Sequence, residues 1–321
     1  MDTLKAYYES PIHIGRLEEF PKIFESQRKV IYEVEGIHFT VFLRDDLPVK
    51  IVFEGSIPKF LYKSNVKRST RVTLFNSLMK LKKLSGIDVF EFTPKRTDMA
   101  INIALDYPII NYTKKLDYMR DHYRQSFKSS VYFKTKSKTN ELLFYDKIQE
   151  LTDKGLYYAN RIYLHPNVKI LRVEYRNFDK LRRVLKVPKG QRLTLRDLCF
   201  KENYKLLLLQ LEAKYNLVKK KVVPNLEGVK KYKDWLLINT IQNVKKNLGT
   251  DIAKHQLEDL VAKGLIKENE KKYFLAEYNK TIKEGRLTDI NDFVEEMDRK
   301  FTLKMRIMLN KPYEDDYAYA I

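Results

Sequence analysis

The segment RTDMAINIALD, residues 96–106, alternates between large apolar residues and small or polar ones. Successive side chains of a β-strand point to opposite faces, so this pattern predicts a strand with two different faces. We expect the strand to run from Val89 to Tyr107. One face is apolar, and the other carries Asp98, Ala100, Asn102, Ala104 and Asp106. Such a small, polar face is typical either of a solvent-exposed strand or of a surface that a ligand approaches closely.

Other segments predict the elements around this strand. Residues 30–44 and 49–55 alternate and predict strands paired across a DDLP turn, and ILRVEYR (170–176) predicts another strand. Residues 70–86 have helical apolar spacing, with Gly86 as the expected C-cap. The order of these elements predicts an α+β fold whose antiparallel sheet consists of two fused ferredoxin-like halves.

The pattern becomes mainly helical after residue 190. We therefore predict a first domain over residues 1–190 and a helical domain over residues 191–321. Within the second, LEDLVAKGLIKENEKKYFLAEY predicts a helix, a turn at Lys263–Gly264 and a β-wing, as in a helix-turn-helix or winged DNA-binding module. The spacing favours a plain helical bundle at least as much. Two basic runs, 219–221 and 230–231, and an acidic, aromatic tail complete this part of the chain.

The charge of the chain indicates its partner. The sequence has 62 Lys and Arg against 42 Asp and Glu, a net charge of +20. Such an excess favours a polyanion, since each neutralised phosphate releases counterions. The 22 tyrosines and 17 phenylalanines favour nucleic acid over an acidic membrane, because bases stack on aromatic rings.

Other features of the sequence exclude several classes of protein. One cysteine excludes a disulfide framework and cysteine-based zinc sites. The sequence shows no signal peptide and no long apolar run, so we expect a cytoplasmic protein with no membrane partner. It also has no P-loop, GxGxxG, HExxH or GxSxG motif. Any catalysis would therefore rest on carboxylates, tyrosines and basic residues.

The strand ILRVEYR has a charged face that contains Glu174 between Arg172 and Arg176. A glutamate in this setting is most simply a salt-bridged surface residue. If the strand lies beside the first one, however, Glu174 and Asp98 converge. Carboxylates that converge in this way suit Mg²⁺ or Mn²⁺, which bind and polarise phosphates.

Two tyrosines, Tyr132 and Tyr145, flank a polar turn in residues 129–151, which predict a hairpin. A tyrosine hydroxyl can attack a phosphodiester if a nearby cation or metal helps it to ionise. A turn centred on residues 137–138 pairs Tyr132 with Leu143 and places it on one face with Tyr145 and Lys147. A three-residue turn instead brings Asp146 and Glu150 to that face. Both registers remain open at this point.

Four segments resemble the filamentous-phage gene II/X-type family of replication initiators. FEGSIPKFLYKSN (53–65) is similar to its SPxKFLxGHN signature, and KRTDMAINI is similar to its TRxDxAxN/D strand. VYFKTKS…LLFYDKIQEL resembles its YFGxxS…xxFYxKxxEL hairpin, and LRVEYR…LRRVLK resembles its LRVE.R…L segment. Staphylococcal-plasmid-type rolling-circle initiators share the last three segments.

The resemblance implies a rolling-circle replication initiator. Such a protein nicks one strand of supercoiled DNA at an origin, holds the 5′ end on a tyrosine and later rejoins the displaced strand. By position, the nucleophile is Tyr132, and Lys147 steadies the scissile phosphate or the leaving oxygen. Mg²⁺ or Mn²⁺ is held by Asp98 and Glu174, with Asn102 secondary. Further candidates are Glu150, Tyr145, Lys134 and Asn65.

The sequence departs from the family pattern at three positions. Ser64 and Lys63 replace the histidine and glycine of GHN, and Lys134 replaces the glycine that follows YF. If the family histidine binds metal, this chain must use another group in its place.

The implied partners are origin DNA, as duplex and as single strand, and the helicase, polymerase and single-strand-binding protein of a bacterial host. The sequence is also compatible with a homodimer. Two other functions compete with this one: a non-catalytic DNA-binding protein that regulates plasmid or phage replication, and an RNA-binding module.

Overall fold

The computed structural model describes residues 1–9, 13–67, 69–178, 181–220, 236–237, 240–241, 250–283 and 292–310. Within these residues the chain forms strands β1 to β12. Their bounds, in chain order, are Thr3–Glu9, Lys22–Ser26, Lys29–Val34, Ile37–Arg44, Leu47–Ser56, Thr93–Leu105, Leu116–Met119, His122–Ser126, Ser130–Thr135, Asn140–Asp146, Lys169–Asn177 and Val218–Lys220.

The described helices are α1 to α11. In chain order they span Ile57–Tyr62, Arg71–Ser85, Ile109–Thr113, Lys147–Asp153, Tyr157–Asn160, Leu181–Val184, Leu195–Leu198, Lys201–Asn216, Thr250–Ala262, Glu268–Lys283 and Asp292–Asn310. None of these described helices combines the length and the apolar composition that a membrane span requires.

Ten strands form one sheet in the order β2-β3-β4-β5-β1-β6-β11-β10-β9-β8, and β12 pairs separately with β7. Each pairing in the large sheet is antiparallel. The sheet has two halves that meet where β6 pairs with β11. The predicted fold class, an antiparallel α+β sheet followed by a helical region, is confirmed.

One face of the sheet is apolar and forms the main core. On β6 it carries Met99, Ile101 and Ile103, all nearly inaccessible to solvent. Helix α8 packs on this face, where Tyr215 contacts Phe144 of β10 with 6.0 Å between the ring centroids. Burial of such large apolar side chains supplies most of the driving force for folding.

Two tight turns organise the first half of the sheet. Asp45 and Asp46, both with positive φ, join β4 to β5 at the DDLP turn, as the sequence predicts. Glu35 and Gly36 also have positive φ and break residues 30–44 into β3 and β4. The prediction of a single strand there is wrong, because two residues with positive φ form the tight turn that suits a hairpin.

Helix α2 agrees with its predicted span. Thr70 caps its N-terminus, and Gly86, with φ of 71°, caps its C-terminus. The long strand begins later than predicted, because Val89–Glu91 form a 3₁₀ turn before β6 starts at Thr93. The short strand β12 lies in the region after residue 190 that the sequence predicts to be mainly helical.

The chain divides into two compact units by contacts, Met1–Lys220 with Glu296–Ile321 and Lys221–Glu295. In the second unit, α9 and α10 are joined by a turn in which Gly264 has φ of +68°. The turn is confirmed, but the β-wing is wrong, since its residues lie in α10. The functional division at residue 190 stays a prediction. Residues 221, 230–231 and 311–321 of the basic runs and the tail lie outside the described residues.

Candidate active site

The second face of the sheet, which we call the polar face, brings most of the candidate residues together. In the β6–β11 ladder Asp98 lies opposite Arg176, Ala100 opposite Glu174 and Asn102 opposite Arg172. The two strands that carry the predicted acids are therefore neighbours. The alanine opposite Glu174 leaves space above the ladder for the long charged side chains on either side.

The Asp98 carboxylate is almost completely buried and accepts hydrogen bonds from Arg96. The Nε–Oδ1 distance is 2.9 Å and the Nη2–Oδ2 distance is 2.5 Å, so the guanidinium binds both carboxylate oxygens. Arg176 approaches the same carboxylate at 3.8 Å. Burial, with the charge of Glu174, raises the pKa of Asp98, while the hydrogen bonds from Arg96 oppose this rise.

Glu174 is buried between three donors. Arg176 donates to its Oε1 at 2.7 Å, whereas Arg172 and the Tyr145 hydroxyl donate to its Oε2 at 3.3 Å and 2.9 Å. Burial alone would raise the pKa of Glu174, but the two guanidinium groups hold it below its usual range. Glu174 is therefore a carboxylate at neutral pH. Burial raises the pKa of Tyr145 well above its usual value, so this hydroxyl stays protonated.

Arg172 links the sheet to segments that are distant in sequence. Its guanidinium lies 2.7 Å from the Asp2 carboxylate and donates to the Asn65 carbonyl oxygen at 2.9 Å and to the Asn102 side chain at 3.3 Å. Asn102 in turn donates to the Val66 carbonyl oxygen at 2.9 Å. These bonds fix residues 65–66 over one end of the polar face.

Tyr132 pairs with Leu143, so the first of the two hairpin registers is correct. The tyrosine shares the polar face with Glu174, but β10 lies between their strands, whose backbones are about 10 Å apart. Its ring is half-buried and packs against Phe127, with 5.1 Å between centroids. Its hydroxyl makes no hydrogen bond to any residue that the structure describes.

A row of charges connects Tyr132 with the acidic pair. The Lys134 ammonium lies 5.6 Å from the Tyr132 ring centroid and 3.7 Å from the Glu141 carboxylate. Glu141 is also 3.5 Å from Arg176, which binds Glu174. The polar face therefore presents two partly exposed cations, Lys134 and Arg176, on the rung next to that of Tyr132.

Lys147 begins helix α4, and its side chain has no exposed surface. Its ammonium donates to Glu150, which also accepts a bond from the exposed Lys154. Burial, followed by the charge of Arg172, lowers the pKa of Lys147 to about 8. This buried arrangement does not support the direct contact with a DNA phosphate that the resemblance implies.

Ser64 and Asn65 lie in the buried segment beside Arg172. The Ser64 hydroxyl bonds to the Asn160 side chain, so the serine at the family's histidine position helps to hold helix α5. The side-chain oxygen of Asn65 is buried without a hydrogen-bond partner in the described part of the chain.

The predicted Mg²⁺ or Mn²⁺ site requires carboxylate oxygens that face an open position. Here the oxygens of Asp98 and Glu174 bind three guanidinium groups instead. In the ranges described, no three acidic, histidine or cysteine side chains lie together in a way that would hold a metal ion. The donor set in this arrangement does not fit a divalent cation.

Sequence reasoning did not assign a role to Arg96, Arg176 or Asp2. The alternating R-x-E-x-R and R-x-D patterns on β11 and β6 carry a signal for the two arginines, since residues two apart share a face. Asp2 had no comparable signal, because its contact with Arg172 joins positions 170 residues apart.

No family model matches this sequence, and no curated protein matches it either. The chain is similar to the solved structure of a rolling circle replication initiator protein from Geobacillus stearothermophilus. The identity is 14%, the match covers 73% of this chain and 89% of that chain, and the TM-score is 0.32. That TM-score is too low to relate the two folds, so no conclusion rests on this similarity.

Proposed function

We propose that this chain is a rolling-circle replication initiator that nicks one DNA strand at an origin and later rejoins it. One observation carries the proposal. Three segments that resemble the family motifs, on β6, β11 and the β9–β10 hairpin, are consecutive in the sheet and turn their polar residues to one face. A common polar face is expected if these three segments serve one site.

Tyr132 is the proposed nucleophile. Its hydroxyl oxygen attacks the scissile phosphorus, the bond from phosphorus to the 3′ oxygen breaks, and the 5′ phosphate stays on the tyrosine. The tyrosine proton leaves for solvent, and the departing oxygen takes up a proton to become a 3′-OH. Rejoining is the reverse reaction. Tyr132 is partly exposed as a residue, which supports this choice over Tyr145, whose protonated hydroxyl binds Glu174.

Arg176 and Lys134 are the proposed phosphate-binding groups. Both are partly exposed on the polar face, where they lie opposite Glu141 on its two neighbouring strands and pair with its carboxylate. Cations at fixed positions stabilise the negative charge that builds up on phosphoryl oxygens in the transition state. Asp98 and Glu174 would then serve to orient Arg96 and Arg176.

The dependence on Mg²⁺ or Mn²⁺, which the resemblance implies, stays a prediction. So do the binding of origin duplex by the helical region, the host helicase, polymerase and single-strand-binding protein, and the cytoplasmic location. The helix–turn–helix arrangement of α9 and α10 is compatible with binding to duplex DNA.

The arginine-bonded carboxylates favour a second candidate function, a non-catalytic DNA-binding protein that regulates replication. The two functions separate in one assay. The protein is incubated with a supercoiled plasmid that carries the cognate origin, with Mn²⁺ or with EDTA. An initiator converts the plasmid to nicked circles with protein attached, and the Tyr132→Phe variant does not. If wild-type protein binds the plasmid without nicking it, the regulator is the better assignment.

A double variant, Asp98→Ala with Glu174→Ala, tests the metal prediction separately. Nicking by this variant at the wild-type rate would show that the acidic pair does not hold a required metal ion. Activity in EDTA would lead to the same conclusion. Circular dichroism of each variant controls for loss of fold.

A further inference from the structure

The polar face continues beyond the candidate site into a cleft of about 940 Å³ in the first half of the sheet. Strands β1, β4, β5 and β6 form its floor, and Phe178 and described residues between 181 and 193 line one side. This volume is near the upper end of the range of about 300–1,000 Å³ that is typical of ligand sites. The main lining side chains are Lys5, Tyr7, Glu9, Phe42, Lys50, Lys95, Phe178, Arg182 and Arg192.

The cleft is strongly positive. Its lining contains five lysines and arginines against a single acid, Glu9. Lys50 bonds to Glu9, and Lys5 bonds to Glu54 outside the cleft. The other three, Lys95, Arg182 and Arg192, have no carboxylate partner among the described residues; the two arginines donate only to backbone carbonyl and hydroxyl oxygens. Because these three side chains are exposed, a ligand that brings negative charge can pair with them.

Aromatic rings lie among these cations. Tyr7, Phe42 and Phe178 line the cleft, and each is partly exposed. The Lys50 ammonium lies 4.8 Å from the Tyr7 ring centroid. A partly exposed ring next to a cation can stack on a base while the cation binds the adjoining phosphate. In duplex DNA the bases are stacked on one another inside the helix, so these rings would contact only single strands.

We propose that this cleft binds single-stranded DNA through phosphate contacts and base stacking. An acidic peptide would satisfy the charges but would leave the rings without flat partners.

The cleft is continuous with the candidate active site. Lys5 lies opposite Arg96 in the β1–β6 ladder, and the Phe178 ring lies 5.2 Å from the Arg96 guanidinium. Four strand spacings separate β1 from β9, so the β1 part of the cleft floor is about 19 Å from the strand of Tyr132. A strand in the cleft would thus reach the tyrosine within a few nucleotides. The route of the strand from the cleft to Tyr132 rests on the proposed function, whereas the binding of single-stranded DNA in the cleft does not.

Fluorescence anisotropy with a short labelled oligothymidylate tests the binding without any need for cleavage. The double variant Lys95→Ala, Arg182→Ala removes two exposed cleft cations. Its matched control, Lys83→Ala with Lys205→Ala, removes two exposed lysines elsewhere and leaves the same net charge. We expect at least tenfold weaker binding for the cleft variant only. The slope of log Kobs against log[salt] should fall by about 1.4, since each single-strand phosphate contact contributes about 0.7.

A second pair of variants tests the stacking. Phe42→Ala removes a cleft ring, and Phe75→Ala removes an exposed ring on α2. We expect about tenfold weaker binding for Phe42→Ala and wild-type binding for Phe75→Ala. Urea unfolding of all four variants identifies any loss of fold.

The outcomes separate the two proposals. If the cleft variant and the control variant lost the same affinity for the oligonucleotide, the proposal of a binding cleft would be overturned, because overall charge would then explain the binding. Equal affinity for polyglutamate, with no effect of Phe42→Ala, would also overturn it. Single-stranded RNA that displaces the DNA at much lower concentration would overturn the choice of DNA. Binding in the cleft without nicking would contradict the initiator function alone.

Discussion

The charged side chains of the polar face stabilise the protein only as a group. Asp98 and Glu174 are almost wholly buried, and Arg96, Arg172 and Arg176 supply their hydrogen bonds. A buried ion pair gains little over an apolar replacement, but removal of one partner typically costs about 3–5 kcal/mol because the other charge is left uncompensated. We therefore regard this network as a rigid support for the groups that we propose to contact DNA.

Tyr145→Phe should destabilise the fold, because the Tyr145 hydroxyl donates to the buried Glu174 carboxylate. Hydrogen bonds to charged groups contribute about 1.5–3 kcal/mol, so the free energy of unfolding should fall by about 1.5 kcal/mol. Tyr132→Phe is the matched control on the same face, and its change should stay within about 0.5 kcal/mol. Urea unfolding followed by circular dichroism measures both. Equal losses would contradict the different environments of the two hydroxyl groups.

Lys147 predicts a pH dependence of stability. The pKa of Lys147 is lowered to about 8 in the folded state, below the usual lysine pKa. Between pH 8 and that usual pKa, the unfolded chain therefore binds more protons than the folded one. Stability from this group therefore rises as the pH increases above about 8, with a slope of up to about 1.4 kcal/mol per pH unit. Below pH 8 the buried ammonium destabilises the fold.

The comparison of Lys147→Met with wild type isolates this contribution. Urea midpoints at several pH values from 7 to about 10 should show a rise for wild type relative to the variant. Lys154→Met is the control, since Lys154 also bonds to Glu150 but is exposed to solvent. A wild-type curve that stays parallel to that of Lys147→Met would contradict the lowered pKa.

At the residue scale, the sequence predicted which side chains share a face of one strand but not what each one contacts. Period-two alternation put Asp98 with Asn102 and Glu174 with its two arginines, because that rule is local. Whether these faces and that of Tyr132 form one surface depended on the strand order and the hairpin register, which the sequence left open. The partners of Arg172 lie at positions 2, 65 and 102, and only the folded chain brings them together. For this reason, carboxylates that suggested a metal site are bound to arginines in the structure.

Elements built on local turn chemistry agree best with the sequence. Helix α2 has the predicted span because its caps, Thr70 and Gly86, act within a few residues. The Glu35–Gly36 turn was also encoded locally, but alternation continues across it and hides the break. The prediction of a β-wing was wrong for a different reason. The residues after Gly264 favour a helix and have no neighbouring strand with which to pair in the described part of that unit.

Thr70→Ala should weaken the start of α2. The Thr70 hydroxyl accepts from the Thr73 amide at 3.1 Å, and the Thr73 hydroxyl accepts from the Thr70 amide at 3.0 Å. Loss of such a cap costs about 1 kcal/mol. Thr152→Ala, an exposed substitution within α4, should cost less than about 0.5 kcal/mol. Urea unfolding compares the two, and equal stability of Thr70→Ala and wild type would contradict the capping role.

On the scale of the whole molecule, the groups that we propose to contact DNA lie along one surface of the sheet, whereas the net charge of +20 is a property of the whole chain. The first half of the sheet contributes the proposed single-strand cleft, the β6–β11 junction contributes the arginine–carboxylate network, and the second half contributes Tyr132. Composition alone indicated a polyanion partner but no location for it. The location depends on the strand order, which brings β1 next to β6 although about 90 residues separate them in sequence.

The central claim is that Tyr132 forms a covalent bond with DNA. Wild-type protein would be reacted with supercoiled origin plasmid and Mn²⁺, treated with nuclease and trypsin, and analysed by mass spectrometry. We predict a nucleotide adduct on the peptide that contains Tyr132, and no adduct in the Tyr132→Phe variant. An adduct on Tyr145 or another tyrosine, or nicked plasmid with no adduct at all, would contradict this account.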